Sequence, residues 1–141
     1  MKKIIKENAL YGAFAVALLA LFGSLYFSEI AHFPPCVLCW YQRIGLYPLV
    51  VIFGFAIYRK SKEILYPSYV LVAIAWVIGL YHNLLYYNII PEAAAPCTAG
   101  ISCTTKFISW GGFITIPLLA FVGSTVIGIL LIINWRNSKN D

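Results

Sequence analysis

Residues 64–91 read ILYPSYVLVAIAWVIGLYHNLLYYNIIP and contain no Asp, Glu, Lys or Arg. An α-helix rises about 1.5 Å per residue, so roughly 20 apolar residues are needed to cross about 30 Å of hydrocarbon. The stretch is long enough for one crossing, and it is too long for a soluble core of this size to bury. It therefore predicts a transmembrane helix.

Three more stretches of 15 residues or more lack charged side chains, at 8–28, 44–58 and 107–135. The first and the last are long enough to cross a bilayer, whereas 44–58 is too short by itself. It reaches spanning length only if it includes residues 39–43, which places Arg43 at the edge of the apolar slab. The sequence thus predicts four crossings.

The overall composition agrees with a membrane protein. Of 141 residues, 62% are hydrophobic and 11% are charged, whereas a soluble domain has about 25% charged residues. The 10 Lys and Arg residues exceed the 5 Asp and Glu residues, but they punctuate the apolar runs and form no single basic face. A lipid environment is expected, and nucleic-acid binding is not.

The predicted fold is all-α and integral to the membrane: a four-transmembrane-helix bundle forming a single domain over residues 1–141. Pro34 and Pro35 prevent a helix from starting before Cys36, and Pro67 suits the first turn of the third helix. The predicted helices lie near 9–29, 37–58, 66–88 and 113–135, and the predicted outer loops lie near 30–36 and 89–112.

The distribution of basic residues predicts an orientation in which both termini are cytoplasmic. Segments on that side hold eight Lys and Arg residues, while Lys106 and, at the boundary, Arg43 lie on the other side; cytoplasmic loops carry the excess of such residues. The first stretch is longer than the hydrophobic part of a signal peptide, and residues 28–32 form a poor cleavage site. An uncleaved first helix is therefore expected.

Four cysteines fall on the predicted outer face, where disulfides persist. Cys36 and Cys39 form a Cys-x-x-Cys motif at a helix start, where backbone N–H groups lower the pKa of a thiol from about 8.5. Arg43 lies one turn beyond Cys39 and could stabilise its thiolate. The alternative is that Arg43 only extends its charge towards the interface.

Cys97 and Cys103 lie in a loop with Pro91, Pro96 and Gly100, and such a loop is accessible. Exchange with a protein partner requires this exposure, because the incoming thiolate must line up behind a sulfur. A static disulfide that staples the loop is the alternative.

Two further features of the sequence are a histidine within an apolar run, His82, and a set of four cysteines that zinc could in principle use as ligands. A histidine within an apolar run is a functional candidate, but near a helix end it could equally hydrogen-bond a neighbouring carbonyl or water. A zinc site made of all four cysteines is disfavoured, because five residues separate Cys97 from Cys103 where two to four are usual. The sequence predicts no metal site.

Residues 35–43, PCVLCWYQR, resemble the signature of the DsbB-type disulfide bond formation proteins, and the chain has the length and short loop of the Bacillus-type BdbC members. The resemblance implies a quinone-dependent protein-dithiol oxidoreductase in the bacterial plasma membrane, with its cysteines on the extracytoplasmic face. Such an enzyme re-oxidises a DsbA-like thioredoxin-fold thiol oxidase and passes the electrons to menaquinone or ubiquinone.

The resemblance also implies residue roles. Cys97 would form the mixed disulfide with the partner, and Cys103 would be its companion. Cys36 would exchange with the loop pair, and Cys39 would face the quinone as a thiolate. Arg43 would support that thiolate and anchor a quinone oxygen, with His82 near the quinone. The loop cysteines are closer together than in the longer enterobacterial members, which restricts the travel of Cys103.

Two other functions fit parts of the sequence. A structural four-helix membrane protein would hold two inert disulfides in its outer loops. A small transporter or zinc-bound module would need more polar groups within the membrane than the apolar stretches supply.

Overall fold

The computed structural model describes residues 1–97, 101–106, 111–112 and 114–139. Its four long helices are each long and apolar enough to cross a membrane, which confirms the predicted all-helical membrane fold with four spanning helices. They are α1 (Lys2–Leu25), α2 (Val37–Arg59), α3 (Tyr66–Tyr86) and α4 (Ile116–Lys139).

Three short helical segments flank the long helices. A π-helix over Tyr26–Ile30 continues α1, and 3-10 helices occupy Glu63–Leu65 and Glu92–Ala94. π-helical turns are rare in proteins, and many of those that do occur are found at functional sites. Here the π-helix follows Ser24, whose carbonyl accepts a hydrogen bond from α2.

The start of α2 follows directly from its sequence. Cys36 has extended backbone angles of φ −74° and ψ 174°, and its sulfur accepts a hydrogen bond from the Cys39 backbone N–H. It therefore acts as the N-cap, satisfying one of the donors that every helix start leaves unpaired. At the other end, Lys60 adopts a left-handed conformation and terminates the helix.

The helices pack as a four-sided bundle in which α1 and α3 each lie between α2 and α4. Small side chains on α1, Ala13 and Ala17, belong to the same buried cluster as the fully buried Phe53 and Leu49 of α2. Large apolar side chains such as Leu19, which is 73% exposed, cover the outside of the bundle. Close helix packing through small side chains, with large apolar side chains facing outward, is expected of a bundle in lipid.

A second cluster of buried residues joins the outer loop to the helix ends. It contains Leu38 at the start of α2 and Leu85 near the end of α3, together with Ala95, Cys36 and Cys103. Residues far apart in the sequence therefore meet at one end of the bundle, and all four cysteines lie in or against this cluster.

Candidate functional site

The cysteines of the Cys-x-x-Cys motif lie side by side in the first turn of α2. Their Sγ atoms are 3.1 Å apart, and both are free thiols. Cys36 is buried and precedes the membrane-spanning segment, whereas Cys39 is partly exposed. The two sulfurs are close enough to share a hydrogen bond and to form a disulfide on oxidation.

Hydrogen bonding changes the acidity of Cys36. Interaction with the Cys39 side chain lowers the pKa of the Cys36 thiol to about 4; burial opposes this shift, and His82 reinforces it. Hydrogen bonding in this arrangement therefore favours the thiolate form of Cys36. The role of Cys39 as the thiolate that faces a quinone stays a prediction.

Cys97 and Cys103 form a disulfide whose Cα atoms are 5.9 Å apart. The two sulfurs differ in environment, because Cys97 is half-buried while Cys103 is only 3% exposed and packs against the helix ends. The loop pair therefore has an outer cysteine, Cys97, and an inner cysteine, Cys103.

His82 connects the two cysteine pairs. Its Nε2 lies 3.2 Å from the carbonyl oxygen of Cys103 and 3.8 Å from Cys36 Sγ. The side-chain nitrogen of His82 and the sulfurs of Cys36 and Cys103 all lie within 4.8 Å of one another. Cys36 is thus the motif cysteine that faces the loop disulfide.

Polar contacts hold the loop in this position. The Glu92 carboxylate accepts hydrogen bonds from the hydroxyls of Ser102 and Thr104, which flank Cys103. Both hydrogen bonds lower the pKa of the Glu92 carboxyl, and the bond from Ser102 has the larger effect. Tyr81 on α3 donates to the Ala94 carbonyl at 2.7 Å, so both sides of the loop are tied down.

A cavity of about 420 Å³ opens beside the motif, between α1, α2 and α4. Its walls are mostly apolar and include Phe27, Leu46 and Ala120. Five of the six predicted site residues line it, the exception being Cys97; they are Cys36, Cys39, Arg43, His82 and Cys103.

Arg43 is partly buried in this cavity wall. Its Nη2 donates to the Ser24 carbonyl of α1 at 3.2 Å, and its guanidinium lies over the rings of Trp40 and Tyr47, at 5.2 and 5.9 Å from their centroids. An arginine in this position is held by α1 and by two aromatic rings, while its charge remains at the cavity.

Gln42 is a cavity residue to which the sequence analysis assigned no role. It is 5% exposed, and its Nε2 has no hydrogen-bond partner in the described part of the chain. This nitrogen lies against Gly79 of α3, and a buried amide N–H without a partner is costly. The sequence did offer one signal for Gln42: it is a polar residue next to Arg43 in an otherwise apolar helix.

The cavity suits a quinone head group. Ligand pockets typically span about 300–1,000 Å³ and combine apolar walls with a few convergent polar groups. A quinone is a flat apolar ring with two carbonyl acceptors, and the cavity offers the Arg43 guanidinium as a donor.

Comparison with known proteins places these features in context. The family model described as "Disulfide bond formation protein DsbB" matches residues 6–133. "Probable disulfide formation protein C 1" of Bacillus anthracis is 41% identical over 132 residues, which cover 94% of this chain and 95% of the relative. No solved structure matches the chain.

Two further relatives show similar agreement. "Disulfide bond formation protein C" of Bacillus subtilis (strain 168) is 43% identical over 126 residues, covering 86% of this chain and 88% of that protein. "Probable disulfide formation protein C" of Halalkalibacterium halodurans is 42% identical over 135 residues, covering 90% and 94% of the two chains.

Proposed function

The chain belongs to the DsbB family of disulfide bond formation proteins, and we propose that it re-oxidises an extracytoplasmic thioredoxin-fold thiol oxidase and passes the electrons to a membrane quinone. The family and the four apolar helices make it a multi-pass membrane protein of disulfide bond formation. One observation carries the finer proposal: Cys36 Sγ lies within 4.8 Å of the inner loop sulfur, beside a cavity lined by Cys39 and Arg43.

The partner reacts first at the loop pair. A thiolate of the reduced partner attacks Cys97 Sγ, the more exposed sulfur, and the Cys97–Cys103 bond breaks with Cys103 leaving as a thiolate. The partner's second thiol then attacks the mixed disulfide, which releases Cys97 and oxidises the partner. Two electrons and two protons have now reached the loop pair.

The electrons then pass to the motif pair. Cys103 attacks Cys36 of a Cys36–Cys39 disulfide and displaces Cys39 as a thiolate. Cys97 next attacks Cys103, which restores the loop disulfide and displaces Cys36. The product has an oxidised loop pair and a reduced motif pair, which is the arrangement in the structure.

The acidity of Cys36 favours this transfer. Thiol–disulfide exchange is faster when the leaving thiol has a low pKa, and hydrogen bonding from Cys39 lowers the pKa of Cys36 to about 4. Cys36 is therefore a good leaving group when Cys97 closes the loop disulfide.

A strong final oxidant is required to draw electrons through these steps. Thioredoxin-fold oxidases reach about −120 mV, while structural disulfides lie below roughly −300 mV and cannot re-oxidise them. A quinone bound in the cavity would supply the oxidising power by taking two electrons and two protons from the motif dithiol. Arg43 would orient one of its carbonyl oxygens, and the apolar walls would exclude water.

The test uses the full chain in lipid nanodiscs with a reduced thioredoxin-fold oxidase and a soluble quinone, followed by the ultraviolet absorbance of the quinone. We expect Cys39→Ser to abolish quinone reduction, because no motif disulfide can form. Ser28→Ala changes an exposed hydroxyl outside the cavity and serves as the control. Undiminished quinone reduction by Cys39→Ser would contradict the proposal and favour a scaffold with inert disulfides.

A further inference from the structure

Three metal-ligating side chains converge where the loop meets the helix ends, and a fourth lies beside one of them. The His82 nitrogen and the sulfurs of Cys36 and Cys103 lie within 4.8 Å of one another, and the Cys39 sulfur is 3.1 Å from that of Cys36. In a tetrahedral zinc site with Zn–S of about 2.3 Å, neighbouring donor atoms are roughly 3.5–3.8 Å apart. The donor atoms of Cys36, Cys103 and His82 are thus at most about 1.3 Å farther apart than that spacing requires, and Cys39 adjoins them through Cys36.

We propose that the fully reduced protein binds one thiophilic cation, of the class represented by Zn²⁺, through Cys36, Cys39, Cys103 and His82. This set differs from the four-cysteine site that the sequence disfavours, because His82 replaces Cys97. The sequence spacing of Cys97 and Cys103 therefore does not limit it. We call these four side chains the reduced cluster.

The chemistry of the reduced cluster matches this class of cation. Thiolates and imidazole select zinc and copper(I) over the oxygen-preferring magnesium and calcium ions. Cys36, Cys103 and His82 are each less than 9% exposed, so few waters would compete for the cation. A Cys₃His set is one of the usual structural zinc sites.

The ring of His82 is free to present an unprotonated nitrogen. Its Nδ1 is buried and has no hydrogen-bond partner among the residues that the structure describes, so Nδ1 can carry the ring proton when Nε2 binds a cation. Nε2 lies between the Cys103 carbonyl and Cys36 Sγ. Metal binding would exchange its contact with the carbonyl for a bond to the cation.

The charges also balance. Three thiolates and Zn²⁺ leave one net negative charge, and a buried net charge is costly unless it is paired. Arg43 lines the same cavity and supplies one positive charge. The site would therefore be electrically neutral as a whole.

Binding depends on the redox state of the loop. In the structure Cys103 is bonded to Cys97 and has no thiolate to offer. A partner dithiol converts this bond into two thiols while it becomes a disulfide, and the cation then displaces the thiol protons of the reduced cluster. If the proposed function holds, metal binding would also block the relay, since Cys103 could no longer attack Cys36.

The test measures zinc binding without relying on activity. Full-length, quinone-free protein in nanodiscs is kept anaerobic with a phosphine reductant and titrated with Zn²⁺ against a chromophoric chelator. We expect one zinc per chain for the reduced protein, and no zinc for protein with an intact loop disulfide. Replacement of zinc by Co²⁺ should give the charge-transfer absorption of thiolate ligation.

Two serine variants form a matched pair, because each removes the loop disulfide but only one removes a ligand. Cys97→Ser should bind zinc within about threefold of the reduced wild-type protein, whereas Cys103→Ser and His82→Ala should each bind at least about tenfold more weakly. Equal affinity of Cys97→Ser and Cys103→Ser, or loss of binding in both, would overturn the proposal. Zinc binding without quinone reduction would refute only the proposed function.

Discussion

Cys36 combines two tasks in one side chain. Its sulfur caps the first turn of α2 by accepting the Cys39 N–H at 3.4 Å, and the same sulfur faces His82 and the inner loop cysteine. A helix start orients backbone N–H groups towards negative charge. The residue that begins the helix is therefore also the one whose thiolate the helix stabilises.

The low pKa of Cys36 gives a pH-dependent signal. In the variant Cys97→Ser/Cys103→Ser, only the motif thiols titrate, and the ultraviolet absorbance of one thiolate should already be present at about pH 6. Because the pKa is lowered to about 4, this signal should persist on acidification and disappear only as the pH falls towards that value.

A histidine comparison checks the cause of this shift. His82→Ala should raise the midpoint, because the His82 ring contributes to the low pKa of Cys36. His32→Asn alters an exposed histidine, and asparagine tolerates the positive φ of that position; it should have no effect. If the thiol of the variant that retains His82 titrates with a midpoint near the ordinary value of about 8.5, the prediction is refuted.

Substitution of Arg43 tests the quinone site through the KM for quinone. Arg43→Leu should raise the KM for quinone by about tenfold or more, because a hydrogen bond to a charged donor is lost. Thermal unfolding should change less, since the described contacts of Arg43 are one backbone carbonyl and two aromatic rings.

Arg59→Leu is the matched control for this measurement. Arg59 also belongs to α2 and lies over an aromatic ring, that of Phe55, but at the opposite end of the helix. An unchanged KM in Arg43→Leu, or an equal increase in Arg59→Leu, would leave Arg43 as an interfacial anchor with no part in quinone binding.

Helices α2 and α3 pack tightly against each other at a glycine, Gly45. A Cβ at Gly45 would lie 2.9 Å from the Ala75 Cβ and 3.3 Å from the Leu71 carbonyl oxygen. Because backbone and Cβ atoms cannot move aside by rotation, any side chain at position 45 would push the helices apart. This contact fixes how α2, which carries the motif, sits against α3, which carries His82.

Gly45→Ala should therefore destabilise the bundle, by about 1–3 kcal/mol for an overpacked contact. Thermal unfolding in detergent measures the effect. Gly123→Ala is the control, because a Cβ at Gly123 meets no atom within 4 Å and alanine has the higher helix propensity; it should be neutral or slightly stabilising. Equal stability of the two variants would refute the proposed close contact.

In the molecule as a whole, the cysteine pairs lie at the opposite end of the bundle from the basic residues that end α2. The cysteines and His82 meet at one end, whereas Arg59 and Lys60 lie at the far end of α2. This polarity agrees with a topology in which the basic end faces the cytoplasm. The orientation itself is a prediction.

Reporter fusions test the orientation. A green fluorescent protein fused after residue 141 should fluoresce, and alkaline phosphatase at the same position should be inactive, because the C-terminus is expected in the cytoplasm. A membrane-impermeant thiol reagent should label Cys97 in intact, reduced cells. Active phosphatase at the C-terminus together with protected Cys97 would reverse the assigned topology.

The sequence alone determined the elements of this protein. Helix number follows from the lengths of apolar runs such as 64–91, and the start of α2 follows from Pro34, Pro35 and Cys36. These features are local, because the bilayer thickness and the backbone chemistry of proline act on neighbouring residues. The sequence also identified the four cysteines, Arg43 and His82 as candidates from residue type and spacing.

Only the tertiary structure decided how these candidates are arranged. Cys97 and Cys103 look equivalent in the sequence, yet one is half-buried and the other packs against helix ends. His82 meets Cys36 across 46 positions of the chain, and the buried amide nitrogen of Gln42 lies against Gly79 of α3. Such pairings depend on which helix faces which, and that is set by side-chain packing between segments remote in sequence.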